Sequence, residues 1–145
     1  MPKRKMDKDF KLAPQLEKDS IFVCALSLSQ VRLINDANYP WYLLVPQING
    51  LKEMHDLSED LQQMLTIESR RLSQSMATIY QYDKLNVAAI GNVVSQLHVH
   101  HIARFTSDIA WPSPVWGYAK AKTYDEQSLN QKIEKMRSVL AGFSL

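Results

Sequence analysis

The stretch Asn92-Val-Val-Ser-Gln-Leu-His-Val-His-His-Ile-Ala-Arg104 decides how the rest of the chain is read. Three of the four histidines in the sequence, His98, His100 and His101, fall within four positions of it. Apolar and polar residues alternate around them with the period of a β-strand, in which side chains two apart share a face at about 6.5 Å. A strand from Val93 to Thr106 puts Gln96, His98 and His100 in one row and Leu97, Val99 and His101 on the reverse. Such a polar row is suited to handling phosphate, with the remaining chain building its floor and walls.

Upstream, Leu85–Ile90 reads as another strand, joined to the histidine strand by a turn at Gly91-Asn92. Ile21–Leu26 and Val31–Ile34 are two short apolar runs that form a hairpin across Ser27-Leu-Ser-Gln30. Asn35-Asp-Ala-Asn-Tyr-Pro40 is a turn by its chemistry. The continuous apolar run Trp41-Tyr-Leu-Leu-Val-Pro46 suits a strand at the sheet centre. A long helix is predicted from near Asp56, with Asp56 and Glu59 spaced as a capping-box-like pair. Leu61, Met64, Leu65, Leu72, Met76, Ile79 and Tyr80 form its core face, with Glu68, Arg70, Arg71 and Gln74 assigned to the other. His55, just ahead of it, reads as a surface or capping residue.

Tyr82-Asp83 closes that helix, and a C-terminal helix is predicted from Asp125 through Leu129, Ile133, Met136 and Leu140. Between them, Trp111-Pro-Ser-Pro-Val-Trp-Gly117 is barred from regular structure by its prolines and glycine. Its tryptophans are too apolar for a free linker, so it reads as an ordered loop. Strands, helix, strands and helix with short connections argue an α+β fold built on an antiparallel sheet of about five strands. The 145 residues read as one domain, 1–145, with an N-terminal extension over 1–19, into which Pro14-Gln-Leu-Glu17 fits a helical turn, and the C-terminal helix within 123–145.

Composition narrows the partners. The net charge is +2, and the basic residues are dispersed apart from Lys3-Arg4-Lys5, which gives no case for nucleic acid. No apolar run approaches membrane-spanning length, and no apolar signal core follows the basic start. Cys24 is the one cysteine, which excludes an intrachain disulfide and a cysteine-based zinc site; it reads as a small buried hydrophobe. A reducing cytoplasm fits this usage.

Three chemistries compete for the histidine row. His-x-His on a strand is a common metal-ligand pair, but such a site needs three or four protein ligands, and His55 or Asp108 would have to arrive from elsewhere. The row also reads as satisfied polar residues on a half-exposed strand. The third reading is phosphoryl or nucleotidyl transfer, with an imidazole nitrogen attacking an α-phosphorus and neutral donors stabilising the charge that spreads over the phosphate.

At these residues the chain resembles the histidine triad (HIT) family of nucleotide hydrolases and transferases. The resemblance is to a compact bacterial branch carrying Gly-Asn-Val-Val-x-Gln-Leu-His-Val-His-Val-Ile-Ala-Arg followed by Trp-Pro-x-Pro-Val-Trp-Gly, and it spans about residues 20–117. The family pattern is His-φ-His-φ-His-φ-φ, with φ apolar. Counting from His98 makes the third position Ile102; counting from Gln96 makes the positions Gln96, His98 and His100. The second register also places Gly91-Asn92 at the family's Gly-Gln pair and Asn86 at its strand asparagine.

In that register the resemblance implies a HIT-like fold, a homodimer and a purine nucleotide substrate, with no cofactor and no metal. It implies His98 as nucleophile, His100 as donor to a phosphate or leaving-group oxygen, and Gln96 in place of the orienting histidine. Asn92 falls at a phosphate contact, with Arg104 a candidate for added charge. Asn35 or Asp36 matches the acidic residue that binds ribose hydroxyls, and Trp111 and Trp116 are candidates to shape the pocket, from this subunit or a partner's. The substrate implied is a nucleoside phosphoramidate or a dinucleoside polyphosphate; the alternatives are a nucleotide-binding protein without turnover and a metal enzyme. The chain departs from the pattern twice. Gln96 can hydrogen-bond but cannot titrate, and His101 stands where the family keeps an apolar residue.

Overall fold

The computed structural model describes residues 6–143, so the basic run Lys3-Arg4-Lys5 lies outside the described residues. Helix α1 (Pro14–Asp19) leads into β1 (Ser20–Ala25), β2 (Ser29–Ile34) and β3 (Trp41–Pro46). Helix α2 (Glu59–Tyr80), β4 (Lys84–Ala88), β5 (Val99–Arg104) and helix α3 (Glu126–Gly142) follow. The strands form one sheet in the order β1-β2-β3-β5-β4, antiparallel at every pairing. This is the α+β arrangement expected, with β3 at its centre.

Register sorts the side chains between two faces. Leu43 opposes His100 and Trp41 opposes Ile102, whereas Tyr42 opposes His101 and Leu44 opposes Val99. Alternation therefore puts Trp41, Leu43, Val45, His100 and Ile102 on one face and Tyr42, Leu44, Val99, His101 and Ala103 on the other. The second face carries the main core, where Leu65, Leu72 and Met76 of α2 and Ile133, Met136 and Leu140 of α3 pack on Val31, Leu33, Tyr42 and Leu44. Each such side chain contributes about 1.5–3 kcal/mol by leaving water. The first face is covered instead by the N-terminal segment with α1 and by the loop that follows β5. Phe10, Leu12, Ala13 and Leu16 pack on Leu43 and Val45, and Ala110, Val115 and Trp116 pack with Tyr39, Trp41 and Ile102.

Three local expectations change. Helix α2 begins at Glu59, capped by Ser58, whose hydroxyl accepts the Leu61 N–H at 3.4 Å. Asp56 instead closes a 3-10 turn over Met54–Asp56, its carboxylate accepting the N–H groups of Lys52 and Glu53 at 3.1 and 2.9 Å. Glu68 is buried rather than solvated. It accepts the N–H groups of Leu28 and Ser29 at 2.9 and 3.0 Å, and burial raises its pKa. Two donors at the β1–β2 turn have no strand partner, and the carboxylate supplies one.

The histidine strand is shorter than its alternation suggested. Residues 91–98 form an irregular loop, and pairing begins only at Val99. The Leu97 N–H is taken by the Leu51 carbonyl at 3.0 Å, which diverts the backbone from a neighbouring strand. Gly91 is wedged against this loop, and a Cβ there would lie 2.9 Å from the Val94 carbonyl oxygen.

Candidate functional site

His98 immediately precedes β5 and His100 lies within it. Their ring centroids are 4.9 Å apart, so the two share a face as expected. His98 Nδ1 lies 2.7 Å from the Gln96 carbonyl oxygen. A carbonyl only accepts, so Nδ1 carries the proton and the neutral ring keeps a lone pair on Nε2. His100 is in the opposite state. The Trp41 indole N–H, which only donates, reaches His100 Nδ1 at 3.0 Å and leaves the ring proton on Nε2. Burial, with the nearby His98, lowers the His100 pKa to about 4, against the opposing effect of a ring N–H donated to the Ile90 backbone carbonyl. In its neutral form His98 thus sets an imidazole lone pair beside the imidazole N–H of His100.

Both rings border a cavity of about 860 Å3. Ile34, Trp41 and Leu43 of the sheet form its floor, and Asn35, Asp36 and Asn92 supply polar groups. One wall is α1, through Gln15, Leu16, Lys18 and Asp19; the other is Val115, Trp116, Gly117, Ala119, Ala121 and Thr123. A second cavity of about 170 Å3 shares Ile90, Asn92 and His98 with the first and adds Lys52, Glu53, Ser95 and Gln96. His98 stands between the two.

The other candidate residues are distributed as follows. Asn35 and Asp36 face the cavity and also brace it. The Asn35 side-chain oxygen accepts the Tyr124 N–H at 2.9 Å, and Asp36 Oδ1 accepts the N–H groups of Asn38 and Lys122 at 3.0 and 3.2 Å. The Gln96 side chain makes no hydrogen bond to the His98 ring; only its backbone carbonyl does. Its carboxamide accepts from the Ala13 N–H and donates to the Lys11 carbonyl, at 2.8 and 2.9 Å.

Arg104, Asn86 and Trp111 lie outside both cavities. The buried Arg104 guanidinium donates from Nε and Nη2 to Asp108 at 2.9 and 3.0 Å and from Nη1 to Asn86 at 2.9 Å. It is flanked by the Tyr39 and Trp111 rings, each 5.7 Å away. Asp108 also accepts the N–H groups of Phe105, Ala110 and Trp111, fixing the loop that follows β5. Burial alone would raise the Asp108 pKa, but Arg104 and these N–H groups hold it below the usual carboxylate range. Trp116, not Trp111, reaches the histidines, with its ring edge-on to His100 at 5.1 Å and to Trp41 at 5.9 Å.

His101 faces the helices and has no exposed surface. Its Nδ1–H donates to the Val99 carbonyl at 3.1 Å, and its Nε2 accepts the Ser69 hydroxyl at 2.7 Å. Burial lowers its pKa to about 4. It is a satisfied core histidine.

Among the described residues no three His, Cys, Asp or Glu side chains are grouped to hold a metal ion. None of the described helices is long and apolar enough to cross a membrane. Sequence reasoning missed the contribution of α1, whose faint signal was the apolar set Phe10, Leu12 and Leu16 in an otherwise polar extension.

The family model of the HIT domain matches residues 15–107. The chain belongs to the HIT-domain family. A histidine triad protein from Bradyrhizobium japonicum is 44% identical, with TM-score 0.89 over 90% of this chain and 98% of that one. A histidine triad (HIT) protein from Sinorhizobium meliloti is 39% identical, with TM-score 0.88 over 90% and 96%. One from Marinobacter aquaeolei is 39% identical, with TM-score 0.89 over 93% and 98%. No curated protein matches the chain.

Proposed function

We propose that this HIT-domain protein binds a purine nucleotide in the large cavity and cleaves a bond at its α-phosphorus through a nucleotidyl-histidine at His98. The observation that carries the reading is the opposed tautomers of two adjacent rings, a lone pair on His98 Nε2 beside an N–H on His100 Nε2. His98 Nε2 attacks phosphorus and forms an N–P bond, and the leaving group departs with the electron pair of the bond that breaks, an amine taking up a proton from solvent as it goes. His100 donates to a phosphate or leaving-group oxygen and stabilises its developing charge without being ionised. Water then attacks the same phosphorus, the N–P bond breaks, the water proton passes to solvent, and a nucleoside monophosphate leaves.

The remaining roles follow from placement. Asp36 Oδ2, which makes no hydrogen bond among the described residues, is available to ribose hydroxyls, with the Asn35 amide beside it. Asn92, between the two cavities, takes the phosphate. Gln96 contributes its backbone carbonyl to the orientation of His98. Arg104, Asn86 and Trp111 act by holding the loop that presents Trp116. The substrate is a nucleoside phosphoramidate or a dinucleoside polyphosphate. A homodimer paired along the edge strand β4, where Val87 is half exposed, completes the reading.

A second reading, nucleotide binding without turnover, is favoured by one observation: the first triad position is a glutamine engaged with the N-terminal segment. Incubation with adenosine phosphoramidate and with diadenosine tetraphosphate, followed for AMP release, separates the two. The enzyme reading expects an AMP adduct on His98 after a denaturing quench, and a loss of about 10³-fold or more in His98→Ala. AMP binding with no turnover and no adduct, unchanged in His98→Ala, establishes the second reading instead.

A further inference from the structure

We propose that the N-terminal segment 6–19 is a working wall of the nucleotide cavity, latched by the Gln96 side chain, so that nucleotide binding and docking of this segment are linked. The nucleotide half of the proposal rests on the function proposed above; the latch itself does not.

The segment is held at two places. At its start Asp7 pairs with the end of β3: its N–H donates to the Gln47 carbonyl at 2.8 Å and its carboxylate accepts the Asn49 N–H at 2.9 Å. At its middle the Gln96 carboxamide bonds a carbonyl and an N–H two residues apart, as a neighbouring strand does. Between these points Leu16 is buried on Leu43 and Val45, and α1 turns Gln15, Lys18 and Asp19 to the cavity. A six-residue helix has little stability of its own. Its position therefore depends on the latch and on Leu16.

Residue 96 also touches the chemistry. Its backbone carbonyl accepts the His98 Nδ1–H while its side chain holds the wall. A ligand that contacts both α1 and the loop at 91–98 stabilises the docked arrangement. By reciprocity, docking strengthens binding of that ligand.

The test compares wild type with Gln96→Ala and Ala13→Pro, using AMP as probe. Ala13 has φ −56°, close to the value proline imposes, so Ala13→Pro removes the N–H donor and attacks the latch from the opposite side. Without nucleotide, hydrogen exchange of amides 12–19 is expected to accelerate in both variants on the order of tenfold while the sheet amides keep their rates. The AMP Kd is expected to rise on the order of tenfold. In turnover KM rises by a larger factor than kcat falls, because the carbonyl that orients His98 remains. AMP is expected to slow exchange of amides 12–19 in wild type.

Unchanged exchange of amides 12–19 in both variants overturns the latch. A fall in kcat at constant KM overturns it too, since Gln96 would then act in the chemistry. If exchange accelerates but the AMP Kd stays constant, the wall has no role in binding and the linkage is overturned. Absence of AMP binding to wild type defeats the nucleotide reading, and the exchange comparison still decides the latch. Should Gln96→Ala fail to fold, Ala13→Pro carries the same outcomes.

Discussion

Trp41 donates its indole N–H to His100 Nδ1 at 3.0 Å, from one central strand to the next. An indole N–H cannot accept, so a proton on His100 Nδ1 would set two donors against each other. The contact therefore fixes the Nε2–H tautomer and opposes the imidazolium. His100 is a hydrogen-bond donor at neutral pH, not a charged acid.

Replacing Trp41 with phenylalanine is expected to release Nδ1 while retaining most of the ring packing. The His100 pKa should then rise from its value of about 4 by about one unit, since burial still depresses it. Both neutral tautomers become populated, and turnover should drop about tenfold with the loss of a fixed donor. Nitrogen-15 NMR of the ring through a pH titration reads the tautomer directly. An unaltered titration in Trp41→Phe would show that burial alone sets the state of His100.

Both His100 and His101 have folded-state pKa values of about 4, below the ordinary 6.5. A depressed pKa means the unfolded chain binds more protons. The stability each ring contributes is thus fully present above pH 6.5 and lost as the pH falls toward 4. The slope is at most about 1.4 kcal/mol per pH unit for each ring. Glu68, with a raised pKa, acts in the opposite direction and offsets part of the loss. Urea unfolding between pH 7 and 4.5 should show falling stability, and a flat profile would contradict the buried neutral assignment.

Ser69→Ala tests which face each histidine serves. His101 Nε2 would lose its hydroxyl donor in a fully buried position, costing about 1–2 kcal/mol. The adjacent His98 and His100 lie on the other face, so the AMP Kd and turnover should stay within a factor of two of wild type while Tm falls. A loss of turnover as large as that from His98→Ala would place His101 in the chemistry.

How much was legible in the sequence depended on whether a local rule had a competitor. β3 ends where Pro46 closes the apolar run, and α3 begins where Asp125 caps it, its carboxylate accepting the Ser128 N–H at 2.7 Å. The sharing of a face by His98 and His100 likewise followed from two-residue periodicity. The N-terminal limit of β5 did not, because alternation persists through residues 93–98 while their backbone and side chains are claimed by Leu51, Lys11 and Ala13. Glu68 stands three residues after Leu65 and four before Leu72, so spacing placed it on the core face and only its charge argued otherwise. Its partners are backbone N–H groups of a turn 39–40 residues away, which no local pattern announces. Arg104 near a phosphate site suggested an anion contact, but Asp108 four residues on provides the anion from within the chain.

That pairing gives the last prediction. Arg104 has 2% of its side chain exposed and Asp108 5%, so Arg104→Met leaves a carboxylate buried with only backbone N–H groups for partners. Breaking a buried pair costs about 3–5 kcal/mol, and the three remaining N–H groups put this case near the lower figure. The effect should extend to the site through the loop. Trp111 and Tyr39 lose the guanidinium between them, the 105–117 segment loosens, and Trp116 no longer holds its place against His100. KM should rise several-fold even in conditions where the variant is fully folded, because the displaced wall lines the same cavity as His98 and His100. Equilibrium unfolding and steady-state kinetics on the same preparation separate the two effects. A variant that loses stability with KM unchanged would confine the Arg104–Asp108 pair to folding and remove the loop from the account of binding.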